Sequence, residues 1–442
     1  MIGSHIPDVD EVFKPSRATV PALPKAGSVQ DVHSAFRRWL GPEYDLDAID
    51  AVMSAAAAEK LAGDPLWLLV ISGSGNVKTE TTPALAGAGA LVSSTITSEG
   101  ALLSGTPSRD KAKGATGGLL RKIGERGVLV VKDVTSILSM NRETRAPVLA
   151  ALREIYDGRW ERNIGTEGGR TLTWSGRITV VGAVTTAWDS AHAVIASMGD
   201  RFVILRMDST TGRQSAREHA MRNTGHEDEM RAELADVVGA VVSQVTARDA
   251  IALTSEEMDI IGEAADVVTL CRTAVDFDYR GDVIDAHAPE APTRFAKQFV
   301  QVVRGAVALG INRQRALRLA IRCARDSMPL LRLAIIEDVA THPHSKTSDI
   351  RRRLNKRNTV DRQLQAPHML GVLDCDEVPS ANEQRSTWYY DIVGGLNPDA
   401  IAVLVVPVMS PHEMSRLGRE CVSTDISGTA ADGAGASMGV RG

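Results

Sequence analysis

The octapeptide Ser72-Gly73-Ser74-Gly75-Asn76-Val77-Lys78-Thr79 constrains this chain more than any other stretch. It follows a short, bounded apolar run, Leu66-Trp67-Leu68-Leu69-Val70-Ile71, which reads as a buried strand. A strand, a glycine-bearing turn and a Lys-Thr pair opening a helix is the layout of a phosphate-binding loop. Such a loop needs backbone N–H groups turned inward, a cation that reaches the outer phosphates, and a hydroxyl for Mg²⁺. Gly73 and Gly75 permit the turn, Lys78 supplies the charge and Thr79 the hydroxyl. Ser74, Asn76, Val77 and Glu80 complete the stretch that would line the nucleotide. Two positions depart from GxxxxGK[ST]: Ser72 stands at the first glycine and Val77 at the one before the lysine. A Cβ at either restricts positive φ, so the loop must differ slightly. An ordinary Gly-Ser turn followed by a chance Lys-Thr is the alternative, and the order of downstream elements tells against it.

With 442 residues, 43% of them apolar, the chain has room for two or three globular domains. A formal net charge of −5 does not advertise nucleic-acid binding along the whole length. Between Arg313 and Arg362, however, thirteen Lys/Arg face five Asp/Glu. Cys271, Cys323, Cys375 and Cys421 form no CxxC pair, which favours reduced structural thiols in a cytoplasmic setting. No apolar run reaches membrane-span length, and the N-terminus lacks a signal-peptide pattern.

Taken in order, residues 1–27 read as a loose, proline-bearing arm and 28–62 as helical. After the phosphate loop, Glu80 to about Leu85 is expected to be helix, with Pro83 early in it. Ala90–Thr97 reads as a second strand. Val128–Asp133 is an apolar strand ending in Asp, the Walker B pattern, in which Asp133 and Thr79 hold the Mg²⁺. The usual following glutamate is absent, and Val134 stands there. Thr144–Tyr156 has helical periodicity. Two alternating runs, Arg159–Ile164 and Arg170–Trp174, flank a glycine-rich turn and read as a β-hairpin. Arg177–Val184 is a fourth strand ending at Thr185-Thr186. A helix around 191–198 and a fifth strand, Val203–Met207, follow. Strands alternating with helices indicate an α/β fold with a doubly wound parallel sheet. Residues 209–265 are charged and helical. A long helix begins at Pro292-Thr293-Arg294, and a basic helix spans Arg313–Arg325. From Pro329 to Ile392, three helices and two strand-like runs read as a winged helix. The expected domains are therefore 1–62 (arm and helices), 63–208 (core), 209–328 (helical lid), 329–392 (winged helix-turn-helix) and 393–442 (weakly structured or disordered tail).

This order of parts resembles the AAA+ P-loop ATPases, in the branch with a β-hairpin before the sensor 1 strand. Minichromosome-maintenance-type helicases and bacterial enhancer-binding activators belong to it. The segment LREIYDGRWERNIGTEGGRTLTWSGRITVVGAVTTA is the best local match, and the likeness covers roughly residues 60–310. It also extends to actinobacterial and phage replication-helicase-like proteins. The resemblance implies Mg·ATP as cofactor, with Lys78 and Thr79 on Walker A, Asp133 on Walker B and Thr185 or Thr186 on sensor 1. Arg201 falls where an arginine finger would lie, and Arg294 where a sensor 2 arginine starts the lid. Glu99 or Glu80 could replace the missing glutamate. The resemblance further implies a homo-oligomeric ring such as a hexamer, since a finger from a neighbour makes hydrolysis depend on assembly.

The DNA expectation is local. Arg351, Arg352, Arg353, Lys356, Arg357 and Arg362 cluster on the second and third helices of the C-terminal unit, where a helix-turn-helix meets DNA. Arg159, Arg162 and Arg170, with Trp160 and Trp174, mark the hairpin, where basic and aromatic residues can track a strand. Packing of either tryptophan into the core is the alternative. The expected activity is an ATP-driven, helicase-like ring motor on DNA. The alternative is a nucleotide-gated DNA-binding regulator with little or no hydrolysis, which Val77 and Val134 favour. A third reading is a remodeller of a protein partner touched by Gly114–Gly118.

Overall fold

The computed structural model describes residues 27–73, 75, 78–106, 116–165, 169–190, 201–208, 212–280, 282–355, 357–379, 386–394 and 396, without the side chains of 357–359. The arm, the expected helix at 191–198 and almost all of the tail lie outside these residues. So do Ser74, Asn76, Val77 and Lys356.

Two helices come first. α1 (Val29–Leu40) starts on a reciprocal capping box between Ser28 and Asp31. α2 (Leu46–Lys60) is buried from Ala48 to Ala58 on every side. A helix apolar all round belongs inside a protein, and α2 does pack between the sheet and a later helix. β1 (Leu68–Ser72) leads into α3 (Lys78–Thr81), which is one turn long. The expected continuous helix to Leu85 is not formed. Pro83 lacks an N–H and its ring clashes with the carbonyl four residues earlier, so the chain tightens into a 3₁₀ turn over Pro83–Ala88. β2 is shorter than expected, Leu91–Ser93. Then come α4 (Glu99–Leu102), α5 (Leu119–Ile123), β3 (Arg126–Val131), α6 (Thr135–Leu138) and α7 (Arg142–Tyr156). The hairpin β4 (Arg159–Ile164) and β5 (Arg170–Ser175) pairs as expected, with Trp160 opposite Trp174. β6 (Arg177–Thr185) and β7 (Val203–Arg206) complete the sheet.

The five strands lie in the order β2-β3-β6-β1-β7, all parallel. From β1 the chain crosses out to β2, returns strand by strand to β6, then crosses β1 to reach β7. The winding direction therefore reverses at β1 and β6, and the crevice at the carboxyl ends of such strands is where open α/β sheets bind ligands. Trp67, at the opposite end of β1, is fully buried and donates its indole N–H to the Ile178 carbonyl at 2.9 Å.

Helices α8 (Arg213–Arg222), α9 (Glu227–Val242) and α10 (Ser255–Arg272) follow. A second hairpin, β8 (Val275–Phe277) with β9 (Val283–Ala286), is absent from the sequence reading. Its strands are short and carry an aspartate each, Asp276 and Asp285, with two more, Asp278 and Asp282, in the turn, so alternation and β-propensity are both weak there. α11 (Thr293–Ala308) and α12 (Arg313–Asp326) pack back on α2 and the sheet. The outer edge of β7 is covered: Ser327 Oγ accepts from Ile204 N at 3.0 Å and Asp326 Oδ2 from Arg206 N at 2.8 Å. This satisfies donors that an open edge strand would expose.

The C-terminal unit comprises α13 (Leu330–Thr341), β10 (Ser345–Lys346), α14 (Thr347–Arg353), α15 (Arg357–Met369), β11 (Leu373–Pro379) and β12 (Ser386–Ile392). Its strands form an antiparallel sheet in the order β10-β12-β11. A small core of Ile335, Val339, Ile350, Val360, Leu364, Leu373 and Tyr390 holds helices to sheet. Ala366 and Leu370, on another side of α15, join the main core.

Candidate functional site

The carboxyl edge of the sheet gathers the residues of the phosphate-loop reading. Lys78 is 7% exposed. Its Nζ donates to the backbone carbonyl of Ser72 at 3.2 Å, with that of Gly73 at 3.5 Å. Among the described residues no carboxylate pairs with it. Burial pushes the ammonium below its usual pKa, and the Asp133 charge partly offsets this. A buried cation held only by carbonyls is a group that an anion would stabilise. Gly73 and Gly75 flank it. Gly75 has φ +77° and open space where a Cβ would stand, the conformation glycine adopts without penalty. Thr79 is exposed at this edge. Because α3 is a single turn, its dipole gives little help, and any attraction for an anion at this edge would rest mainly on Lys78.

Asp133 follows β3 and is solvent-facing; its Oδ1 accepts from Thr135 N at 3.0 Å. Thr185, ending β6, meets Thr135 through their hydroxyls at 3.3 Å, and its N–H donates to Thr135 Oγ1 at 3.2 Å. Lys78, Asp133 and Thr185 therefore end three neighbouring strands on one edge. Val134 points the other way, 6% exposed, into the core cluster on that face of the sheet. Sequence reasoning missed two features here. Thr135 ties Asp133 to Thr185, and its place two residues after Asp133 was the only signal. Arg206 ends β7 and grips Asp189 with two bonds of 3.0 and 2.7 Å; a lone arginine closing an apolar strand was the available clue.

The two glutamates offered in place of the missing one are both engaged. Glu80 receives two hydrogen bonds from Arg231 of α9, at 2.9 and 3.1 Å. Glu99 lies 3.8 Å from Arg162 of the first hairpin. The 3₁₀ turn after α3 docks on α9 backbone to backbone. A Cβ on Gly87 would stand 1.8 Å from the Ala235 carbonyl oxygen, and one on Gly239 2.3 Å from that of Gly87. The segment that carries Lys78 is thus clamped to α9.

Arg201 and Arg294 lie at the other end of the sheet. Arg201 precedes β7, whose first residue pairs with Leu68 at the start of β1. Four residue steps of about 3.3 Å put it at least ~13 Å from the Lys78 edge. Arg201 stands 3.7 Å from Asp157 and over the Tyr156 ring at 5.8 Å. Burial lowers its pKa, and the neighbouring Arg294 charge lowers it further. Arg294 pairs with Glu290. Arg201 and Arg294 therefore lie at the end of the strands away from the Lys78 of their own chain.

The basic residues assigned to DNA divide. On the hairpin, Arg159 pairs with Glu161 at 2.5 Å and stays largely exposed. Arg162 donates to the Leu103 carbonyl at 2.7 Å, and Arg170 lies 3.4 Å from that of Thr106. Trp160 and Trp174 are 6% and 4% exposed, so neither offers a stacking face. In the C-terminal unit, Arg353 is fixed to buried Asp338 by bonds of 2.7 and 2.6 Å. In this structure it ties α14 to α13. Arg351 pairs with Asp361 at 2.8 Å and Arg352 with Asp349 at 3.0 Å. Arg362 is exposed. The Arg357 side chain lies outside the described set.

No protein-family profile matches this sequence, and no curated protein does. Among solved structures, the chain is similar to one titled "SCCmec type IV Cch - active helicase", with 11% identity and a TM-score of 0.34, covering 86% of this chain and 72% of that one. It is also similar to "The A form apo structure of NrS-1 C terminal region-CTR", with 10% identity and a TM-score of 0.25, covering 87% and 80%. Among the described residues no helix is long and apolar enough to cross a membrane.

Proposed function

We propose that this chain is an ATP-dependent, DNA-acting ring protein of the AAA+ kind, helicase-like in activity. Helices α8–α12 act as its lid, and residues 329–392 are a winged helix that docks on DNA. The observation that carries this reading is Lys78: a buried ammonium held by two carbonyls, facing Asp133 across the carboxyl edge of a parallel sheet where the winding reverses. Phosphates would satisfy it from the open side, together with backbone N–H groups around Gly73 and Gly75. Thr79 and Asp133 would hold Mg²⁺, which when bound neutralises charge on the transferred phosphoryl group. Thr185, oriented by Thr135, would position a γ-phosphate or attacking water from the neighbouring strand. Arg201 and Arg294 suit the site of the next copy, because their own Lys78 lies at the far end of the strands.

A second reading, a nucleotide-gated DNA binder that turns over slowly or not at all, is favoured by buried Val134 and by the pairing of Glu80 and Glu99. Calorimetry with ATP on wild type and Lys78→Ala tests the site. Wild type should bind, and the variant should lose binding. Equal affinity refutes the phosphate-loop assignment. Turnover with and without single- and double-stranded DNA then separates motor from gated binder.

A further inference from the structure

The β8–β9 hairpin has no role in the reading above, and its position supplies one. Val283 N donates to Gln365 Oε1 on α15 at 3.1 Å. Val283 and Ala286 rest against the main core beside Ala366 and Leu370 of the same helix. Asp282 and Val283 form one wall of a groove of about 990 Å³. The other walls are Lys346 before α14 and Arg351 in its last turn, the α15 face with Asp361, Gln365 and His368, and Trp388 on β12. In a helix-turn-helix the second helix enters the major groove, and this groove runs along that helix, α15.

Charge sharpens the point. Between Val275 and Ala286 the hairpin carries Asp276, Asp278, Asp282 and Asp285, against Arg280 alone. Arg280 is turned onto Tyr279, donating to its hydroxyl at 2.7 Å. Asp276 faces His287 at 3.3 Å, and Asp278 accepts from the N–H groups of Arg280 and Asp282 within the tip. The hairpin is lightly held: its two short strands have a register shift, and Phe277, Tyr279 and Ile284 stay exposed, Tyr279 by 89%. A duplex approaching the exposed side of α15, where Arg362, Gln365 and Met369 lie, would meet Asp282 in the groove wall, with the other three carboxylates on the same hairpin.

We propose that the β8–β9 hairpin is an autoinhibitory, acidic wall of the DNA-binding groove of the C-terminal unit, and that a DNA backbone must displace it to dock fully. This rests on reading residues 329–392 as the DNA-binding module. The hairpin links α10 to α11, within the helices that pack around the ATPase sheet. Its withdrawal therefore connects the groove to movement of the lid.

The test uses the full-length chain and a fluorescein-labelled random-sequence duplex followed by anisotropy. One variant carries Asp276→Asn, Asp278→Asn, Asp282→Asn and Asp285→Asn; asparagine keeps the acceptor that closes the tip. A control removes four exposed charges on α9 and α10 through Asp228→Asn, Asp236→Asn, Glu256→Gln and Asp259→Asn. The hairpin variant should bind about tenfold tighter at low salt, on the order of twofold per carboxylate, with the gain shrinking as salt screens it. The control should change far less. Equal tightening in both variants, or none in the hairpin variant, overturns the proposal. If wild type and both variants all fail to bind, the DNA reading of the unit falls with it.

Discussion

The separation of Arg201 from Lys78 makes a quantitative prediction. If a site is completed by the next copy, Arg201→Ala damages hydrolysis without touching the nucleotide loop of its own chain. The two groups lie at opposite ends of a five-residue strand, about 13 Å apart at the least. Calorimetric ATP affinity should therefore stay close to wild type. Turnover should fall by roughly 10³-fold or more, the usual size of an arginine-finger contribution, equivalent to about 4 kcal/mol of barrier. Lys78→Ala, by contrast, fails at binding. Mixed in equal amounts, the two inactive proteins should regain activity. In a ring filled at random, about a quarter of the interfaces pair an intact Lys78 with an intact Arg201. Turnover near that fraction of wild type, in a steady-state phosphate-release assay, is the expected result. Thermal melts of Arg201→Ala control for loss of its contacts with Asp157 and Tyr156. Weakened ATP binding by Arg201→Ala, or a mixture as inactive as its components, would falsify a shared site.

Three further outcomes are expected. Glu99→Gln and Arg162→Ala should slow DNA-stimulated turnover to similar degrees, and the double variant should be no worse than either, because the two side chains act as one link between α4 and the hairpin; a Glu99→Gln loss of about 10²–10⁴-fold with Arg162→Ala unaffected would instead mark Glu99 as a base. Arg352→Ala with Arg362→Ala should flatten the plot of log DNA affinity against log salt by about two units and leave ATP binding unchanged; an unaltered slope removes these residues of the C-terminal unit from docking. Glu257, bonded to Arg313 at 2.5 and 2.6 Å, has its pKa lowered from 4.5 to about 2, first by those hydrogen bonds; its contribution is present above pH 4.5 and lost as pH falls toward 2, so Glu257→Gln should lower urea stability by about 1 kcal/mol at pH 7 and by progressively less below pH 4.5.

What the sequence reveals and what it hides divide by range. The strand before Gly73, the strand before Asp133, the first hairpin and the three C-terminal helices were all legible, because each is a local pattern of apolar spacing with turn residues at its ends. Their edges moved by a few residues, and Pro83 broke the one helix that periodicity overextended. The partners of charged side chains were not legible. Glu80 meets Arg231 from 151 residues away, and Arg162 meets Glu99 across the packing of a hairpin on α4. Nothing local marks Arg353 as a tie to Asp338 while its neighbour Arg352 stays exposed. The same limit applies to Arg201 and Arg294. Motif order puts them near the nucleotide in sequence logic, and strand direction puts them at the opposite edge in space.

Val134 shows why a departure from a motif need not be repaired by restoring the motif. Its side chain fills space that Gly182 leaves open on β6: a Cβ on Gly182 would stand 2.7 Å from Val134 Cγ2 and 2.5 Å from a Leu69 methyl. Its N–H donates to the Ala183 carbonyl at 2.9 Å, fixing the backbone direction after Asp133. A glutamate on this backbone would start its side chain among Leu69, Val131 and Ile137, where an unpaired carboxylate is strongly disfavoured. It would protonate or pull the strand end out of register, and neither result delivers an ionised base to the carboxyl edge. Valine at 134 and glycine at 182 thus form one packing unit that excludes the usual glutamate. If the chain hydrolyses ATP, its base must approach from outside that unit. Candidates outside it are Glu99 on α4, Asp189 gripped by Arg206, and, in the proposed ring, a group from a neighbouring copy. Hydrolysis would then depend on movement or assembly to a degree that a Walker B glutamate would not require.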